Sequence, residues 1–185
     1  MSRAADALGV VRLAAAAAFP PALARAADRP DGGSIPLLLF LAAAATDFFD
    51  GRVARRSGAA SRHGAVLDIG ADVAFVLAAA TSGAALGLVP WAAPVAIGAA
   101  VGSYALASVR AGRLAYSAIG HAAGVGNYAL AGLLAGVVAL PRSGAARALD
   151  LASLLVIALN LAAVLDRLVR EVKSLASPCA GRGGR

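Results

Sequence analysis

Apolar residues run along the chain in long blocks, separated by short connections that carry most of the charges. Val73 to Val109 holds no charged residue, and it is far too long for one membrane crossing, which takes about 20 mostly apolar residues. Pro90, Trp91 and Pro94 lie near its middle. Because proline breaks helices and tryptophan favours the membrane interface, this block predicts two helices rather than one.

The other apolar blocks predict four more helices. The blocks at 13–24 and 35–46 are short, and each becomes long enough to span if its flanking charges snorkel or face a polar cavity. The predicted helices cover about 6–27, 33–51, 64–88, 92–109, 118–140 and 148–172. We therefore expect an all-α membrane protein, a bundle of six transmembrane helices in one catalytic domain at 1–173, with a basic, disordered tail at 174–185.

The N-terminus has an alternative interpretation as a cleaved secretory signal peptide. Arg3, a small apolar region and the sequence Ala24-Arg25-Ala26 are typical of one, but Arg12 interrupts what should be its apolar core. We favour a retained first helix.

Composition supports membrane residence, since 60% of the 185 residues are hydrophobic against about 45–50% in soluble domains. The net charge of +7 comes without any nucleic-acid-binding motif, so we expect no nucleic-acid partner. With the N-terminus inside, twelve basic residues fall on the cytoplasmic side and four on the other. The positive-inside rule then predicts that both termini are cytoplasmic, in what we expect to be a bacterial inner membrane.

Four aspartates form two pairs at the junction of the second and third predicted helices. Asp47 and Asp50 are three residues apart and Asp68 and Asp72 are four apart, so each pair shares one helix face. The glycines at 51, 58 and 64 make a tight turn plausible between the pairs. An antiparallel hairpin would bring all four carboxylates together.

Four carboxylates at membrane depth repel one another unless cations compensate them. An all-oxygen cluster suits Mg²⁺, Mn²⁺ or Ca²⁺ rather than Zn²⁺, and Mg²⁺ characteristically bridges carboxylates to substrate phosphates. The cluster thus indicates phosphoryl-group chemistry at the cytoplasmic face.

The complete spacing is D-x2-D-G-x2-A-R-x8-G-x3-D-x3-D. Its fixed positions are Asp47, Asp50, Gly51, Ala54, Arg55, Gly64, Asp68 and Asp72. This pattern resembles the signature of the CDP-alcohol phosphatidyltransferases, with no position missing. The motif spans 26 residues, and the six-helix plan extends the resemblance over most of the chain.

The resemblance implies a metal-dependent transfer of a substituted phosphate group from a CDP-alcohol to a hydroxyl acceptor, with release of CMP. It implies that the four aspartates hold Mg²⁺ or Mn²⁺, two ions per site, and that Asp72 is the general base. The donor would contact Asp47, Gly51, Ala54, Arg55, Gly64 and Asp68. The short connections look bacterial, which favours CDP-diacylglycerol as donor, whereas the acceptor alcohol is not encoded in the motif.

Other polar residues have two interpretations each. Arg110 and Arg113 either bind an anionic acceptor or anchor the helix end in the cytoplasm. Arg12 either meets donor phosphate or snorkels. The polar residues of the fifth helix either face a cavity or bond to a neighbouring helix, and we favour packing; they are His121, Asn127 and Tyr128. The role of His63 stays open.

The resemblance also suggests a homodimer, and four GxxxG steps are compatible with close helix contacts. Two alternative functions remain. A divalent-cation transporter would explain the four carboxylates but not the glycine, alanine and arginine positions. A non-catalytic family member is the other, against which the intact aspartates argue.

Overall fold

Six α-helices make up the described part of the chain. The computed structural model describes the backbone of residues 3–29, 33–57, 62–140 and 145–176, and side chains within 9–29, 33–46, 68–140 and 145–173. The helices are α1 Arg3–Ala27, α2 Ile35–Ser57, α3 Arg62–Ala85, α4 Ala92–Ala111, α5 Ala118–Ala139 and α6 Ala145–Ala176. No strand occurs in these ranges, so the prediction of an all-α bundle of six helices is confirmed.

Among the residues that the structure describes, five helices carry an apolar stretch long enough to cross a membrane, namely α1, α3, α4, α5 and α6. In α2 the apolar part, Ile35–Thr46, is shorter and runs directly into Asp47. Length and composition therefore indicate a multi-pass membrane protein. The cytoplasmic placement of both termini stays a prediction, as does the division into a domain at 1–173 and a tail, most of which lies outside the described residues.

The predicted break in the long apolar block is confirmed, because α3 ends at Ala85 and α4 begins at Ala92. Gly87 has φ +70°, a left-handed conformation that suits glycine, and its N–H donates to the Ala84 carbonyl at 3.1 Å. The Leu88 N–H donates to the Gly83 carbonyl at 2.9 Å. These bonds satisfy carbonyls at the end of α3 and turn the chain toward α4.

The junction between α2 and α3 differs from the predicted turn. The second helix continues to Ser57 and the third begins at Arg62, so Gly51 and Gly64 lie within helices. A glycine costs a helix only about 1 kcal/mol, and the Val, Ala and Arg residues after Gly51 tolerate helical conformation. The connection therefore shortens to residues 58–61, which lie outside the described residues.

Aromatic side chains form the centre of the bundle around Phe75 of α3, which is fully buried. The Phe19 ring of α1 meets it edge-on at 5.4 Å between centroids, and Tyr128 of α5 stacks on it at 6.0 Å with 23° between the planes. Phe40 of α2 lies 6.5 Å away. Four helices thus meet at one buried ring, directly beside the turn of α3 that carries Asp72.

A glycine lets α2 approach α5 closely. A Cβ atom added at Gly132 would lie 2.6 Å from Cζ of Phe40, closer than real Cβ contacts allow. The Phe40 ring therefore occupies the space that a side chain at this position would need.

Gly132→Ala should destabilise the protein by about 1–3 kcal/mol, because the new methyl group displaces the Phe40 ring from the α2–α5 contact. The matched control is Gly136→Ala, one turn further along α5, where no atom lies within 4 Å of the added Cβ. We expect the control to keep stability or raise it by up to about 1 kcal/mol, because alanine favours the helix more than glycine does. Thermal unfolding in detergent measures both, and equal melting temperatures for the two variants would contradict this packing.

Candidate functional site

Asp68 and Asp72 lie one turn apart on α3, and both carboxylates bind the guanidinium of Arg12 from α1. The Arg12 Nη1 atom lies 2.6 Å from Oδ1 of Asp68 and 2.7 Å from Oδ1 of Asp72. The four-residue spacing predicted a shared face, and the structure brings both carboxylates to one point in space. Neither sequence interpretation of Arg12 included this pairing.

Burial is unequal across this cluster. The Arg12 side chain is 0% exposed, whereas that of Asp68 is 42% and that of Asp72 28% exposed. The positive charge therefore lies inside the bundle, and the two carboxylates keep an accessible side. Each charge stabilises the other in surroundings where an isolated charge would be costly.

Tyr128 of α5 adds a third element to the cluster. Its hydroxyl donates to Oδ1 of Asp72 at 2.6 Å, the same oxygen that Arg12 contacts. The ring is held against the buried Phe75, three residues beyond Asp72 on the same face of α3. Oδ1 of Asp72 is thus fixed from two sides, by α1 and by α5. We had favoured packing for this tyrosine, and its bond to a neighbouring helix agrees with that, but the carboxylate partner had not been foreseen.

A cavity of about 970 Å³ opens beside Asp72, between α2, α3, α4, α5 and α6. Its apolar wall includes Phe40, Val73, Val76 and Val101. The polar residues of its lining are Asp72, Tyr104, Tyr116, Ser117, His121, Asn127, Tyr128, Asn160 and Arg167. Such a cavity suits a ligand with both a polar and an apolar part.

Arg167 of α6 is a cavity residue that the sequence analysis counted merely as a cytoplasmic charge. Its Nη1 donates to the Ala100 carbonyl at 2.7 Å and to the Ser103 hydroxyl at 2.8 Å, and its guanidinium carbon lies 5.4 Å from the centre of the Tyr104 ring. A Cβ at Gly120 would lie 2.6 Å from its Nη2, so a side chain at this position would require the guanidinium to shift. Its position directly after the apolar block 151–165 was the available signal.

Two amides connect α5 and α6 at the cavity wall. Asn160 Nδ2 donates to Oδ1 of Asn127 at 2.7 Å and to the Val156 carbonyl at 2.8 Å, and both asparagines are buried. The prediction that Asn127 bonds to a neighbouring helix is therefore confirmed, although both residues also line the cavity. His121 is exposed at the cavity lining, with its ring 6.4 Å from that of Tyr116.

The remaining predicted site residues divide into two groups. The backbones of Asp47, Asp50, Gly51, Ala54 and Arg55 lie on α2, and those of His63 and Gly64 on α3. The side chains of this group lie outside the described residues, so their roles stay predictions.

Arg110 and Arg113 form the second group. Arg110 pairs with Glu171 of α6, and both arginines are exposed. Neither belongs to the cavity lining described above. Their role in acceptor binding stays a prediction.

The carboxylate oxygens of Asp68 and Asp72 are suitable ligands for a divalent cation. Within the described side chains no three His, Cys, Asp or Glu residues gather, but Asp68 and Asp72 converge on a single cationic nitrogen, which marks a point where positive charge is stabilised. Two converging carboxylates are hard oxygen donors of the kind that Mg²⁺ and Mn²⁺ prefer.

A family model described as CDP-alcohol phosphatidyltransferase matches residues 3–164. No match was found among curated proteins or among solved structures. The matched region includes every position of the aspartate motif, the arginine of α1 and the tyrosine of α5 that meet at Asp72. The chain therefore belongs to the CDP-alcohol phosphatidyltransferase family.

Proposed function

We propose that this protein transfers a phosphatidyl group from CDP-diacylglycerol to a hydroxyl acceptor, with release of CMP, as a step of phospholipid synthesis. Members of the family move such a group from a CDP-alcohol to an acceptor alcohol and generally depend on a divalent metal. The observation that carries the proposal is the position of Asp72, which borders an amphipathic cavity and is held there by Arg12 and Tyr128.

The proposed reaction begins with the acceptor hydroxyl in the cavity beside Asp72. Its oxygen attacks the β-phosphorus of the donor and its proton passes to the Asp72 carboxylate. The bond between the β-phosphorus and the bridging oxygen breaks, and that oxygen leaves with CMP. Asp47, Asp50, Asp68 and Asp72 would hold the divalent cations, which when bound neutralise charge on the pyrophosphate and the leaving group.

We propose that the lipid part and the nucleotide part of the donor contact different residues. The cavity's apolar wall, with Phe40, Val73 and Val76, supports placement of an acyl-bearing lipid. For the nucleotide half we propose contacts with Gly51, Ala54, Arg55 and Gly64, and with Asp47 and Asp68, as the motif implies.

The acceptor is proposed to bind at the polar end of the cavity. Arg167 brings a positive charge to this lining, which favours an anionic acceptor such as an alcohol that carries a phosphate. Arg110, in the last turn of α4, and Arg113, just beyond its end, are both exposed and would attract such an acceptor toward the site. We place this face in the cytoplasm of a bacterial inner membrane and expect a homodimer.

Asp72→Asn should lower CMP release by about 100-fold or more, because the amide cannot accept the acceptor's proton. The assay incubates purified protein with Mg²⁺ and labelled CDP-diacylglycerol, offering glycerol 3-phosphate, inositol phosphate, serine and other alcohols in turn. Asp150→Asn is the matched control, since Asp150 is exposed on α6 and should leave CMP release unchanged. No CMP from any donor and acceptor, together with divalent-cation flux into liposomes, would favour the transporter alternative instead.

Tyr128→Phe should lower kcat by about 10–100-fold and leave the KM for the donor within about twofold, because a hydrogen bond to a charged group is worth about 1.5–3 kcal/mol and this one holds the carboxylate of Asp72. The control is the same substitution in the Asp72→Asn background. There the hydroxyl no longer positions a base, so we expect no further loss. Equal losses in the two backgrounds would show that Tyr128 acts independently of Asp72.

A further inference from the structure

Arg12 lies in the position of a counter-ion within the aspartate cluster. A single nitrogen, Nη1, contacts Oδ1 of both Asp68 and Asp72 at 2.6 and 2.7 Å. Asp68 and Asp72 would also hold a divalent cation, because carboxylate oxygens are the donors that Mg²⁺ and Mn²⁺ prefer. The guanidinium and the metal therefore draw on one pair of ligands.

Burial in the helix bundle holds Arg12 at the carboxylates of Asp68 and Asp72. Its side chain is 0% exposed, and its guanidinium contacts both carboxylates of α3. A guanidinium buried so completely is costly unless acceptors surround it, and two carboxylates one turn apart repel each other unless a cation lies near. In the absence of metal, each side of the pair stabilises the other.

We propose that Arg12 competes with the divalent cation for Asp68 and Asp72, so that it stabilises the metal-free cluster and weakens metal binding. The proposal rests on the metal-dependent function proposed above. It assigns to Arg12 a role distinct from donor binding or membrane anchoring. The arginine sets the metal concentration at which the site fills.

Two opposite effects follow from removing this charge. A fixed positive charge beside the site repels a second cation and occupies lone pairs of both Oδ1 atoms, so its loss should tighten metal binding. The same loss removes the positive charge that lies between the two carboxylates of the metal-free protein, so that state should unfold more easily. A merely structural arginine would lower stability without raising metal affinity.

The test measures Mn²⁺ binding to the full chain in detergent after treatment with EDTA, with neither donor nor acceptor present. Free Mn²⁺ is followed by electron paramagnetic resonance. Arg12→Met, which keeps an unbranched apolar stem but removes the charged guanidinium, should bind Mn²⁺ at least about tenfold more tightly than the unmodified protein. Its melting temperature should be lower without metal, and the difference should shrink at saturating Mn²⁺.

Three variants control this experiment. Arg170→Met removes an exposed arginine that pairs with Asp166 at 2.9 Å, away from the cluster, and should leave Mn²⁺ affinity unchanged. Arg12→Lys keeps a positive charge and should stay within about threefold of the unmodified protein. Asp68→Asn should weaken Mn²⁺ binding, because it removes a proposed ligand. If metal-free Arg12→Met unfolds, titrating the Mn²⁺-loaded protein with a chelator gives its affinity from the folded side.

The outcomes separate this proposal from the proposed function. Unchanged or weaker Mn²⁺ binding by Arg12→Met overturns the competition, as does an equal gain in Arg12→Met and Arg12→Lys, since space rather than charge would then be responsible. In either case, Mn²⁺ binding that Asp68→Asn weakens leaves the proposed metal site intact. A chain that binds no Mn²⁺ and releases no CMP overturns the proposed function as well.

Discussion

Carboxylates at membrane depth need cations or hydrogen-bond donors around them, and the arrangement of α1, α3 and α5 follows from that need. Asp68 and Asp72 receive the Arg12 guanidinium from one neighbouring helix, and Asp72 receives the Tyr128 hydroxyl from the other. Both partners come from helices other than α3. The charge on one helix therefore specifies which faces of two other helices must meet it.

Aromatic contacts between α1 and α3 lie next to this ion pair, one layer further along the same interface. Phe19 lies seven residues after Arg12 on α1, and Phe75 lies three residues after Asp72 on α3. Their rings meet edge-on, while the ion pair closes the other end of the same interface. Two contacts about 10 Å apart along α1 fix its depth and rotation against α3 more firmly than apolar packing alone, since alanine-rich surfaces can slide past one another.

The sequence predicted the helices well because charge-free length and proline positions depend on local composition alone. The break at Pro90 and Trp91 and the pairing of Asp68 with Asp72 on one face are of this kind. The predicted end of α2 near residue 51 was wrong by about six residues, because the helix continues through Gly51 to Ser57. Partners across helices were not predictable in this way.

The missed site residues illustrate that second limit. Arg12, Tyr128 and Arg167 are 56 to 67 residues from the groups they contact. Nothing in the spacing of a single helix identifies such a partner. An arginine at the edge of an apolar block has the same local pattern whether it snorkels to the interface or turns inward to a carboxylate. Only the packing of α1 against α3 and of α4 against α6 distinguishes the two.

Because of the same packing, different helices supply the two polar parts of the cavity lining. Asp72 is held on the side where α1, α3 and α5 meet, whereas the polar residues further along the lining, Tyr104, Asn160 and Arg167, come from α4 and α6. The Asn127–Asn160 pair and the bonds from Arg167 to α4 stabilise that second group without involving Asp72. Substitutions in α4 and α6 can therefore reshape the polar end of the cavity while the geometry of Asp72 is maintained by α1 and α5. The proposed function agrees with this separation, since the aspartate motif would carry the reaction while other helices would determine the acceptor.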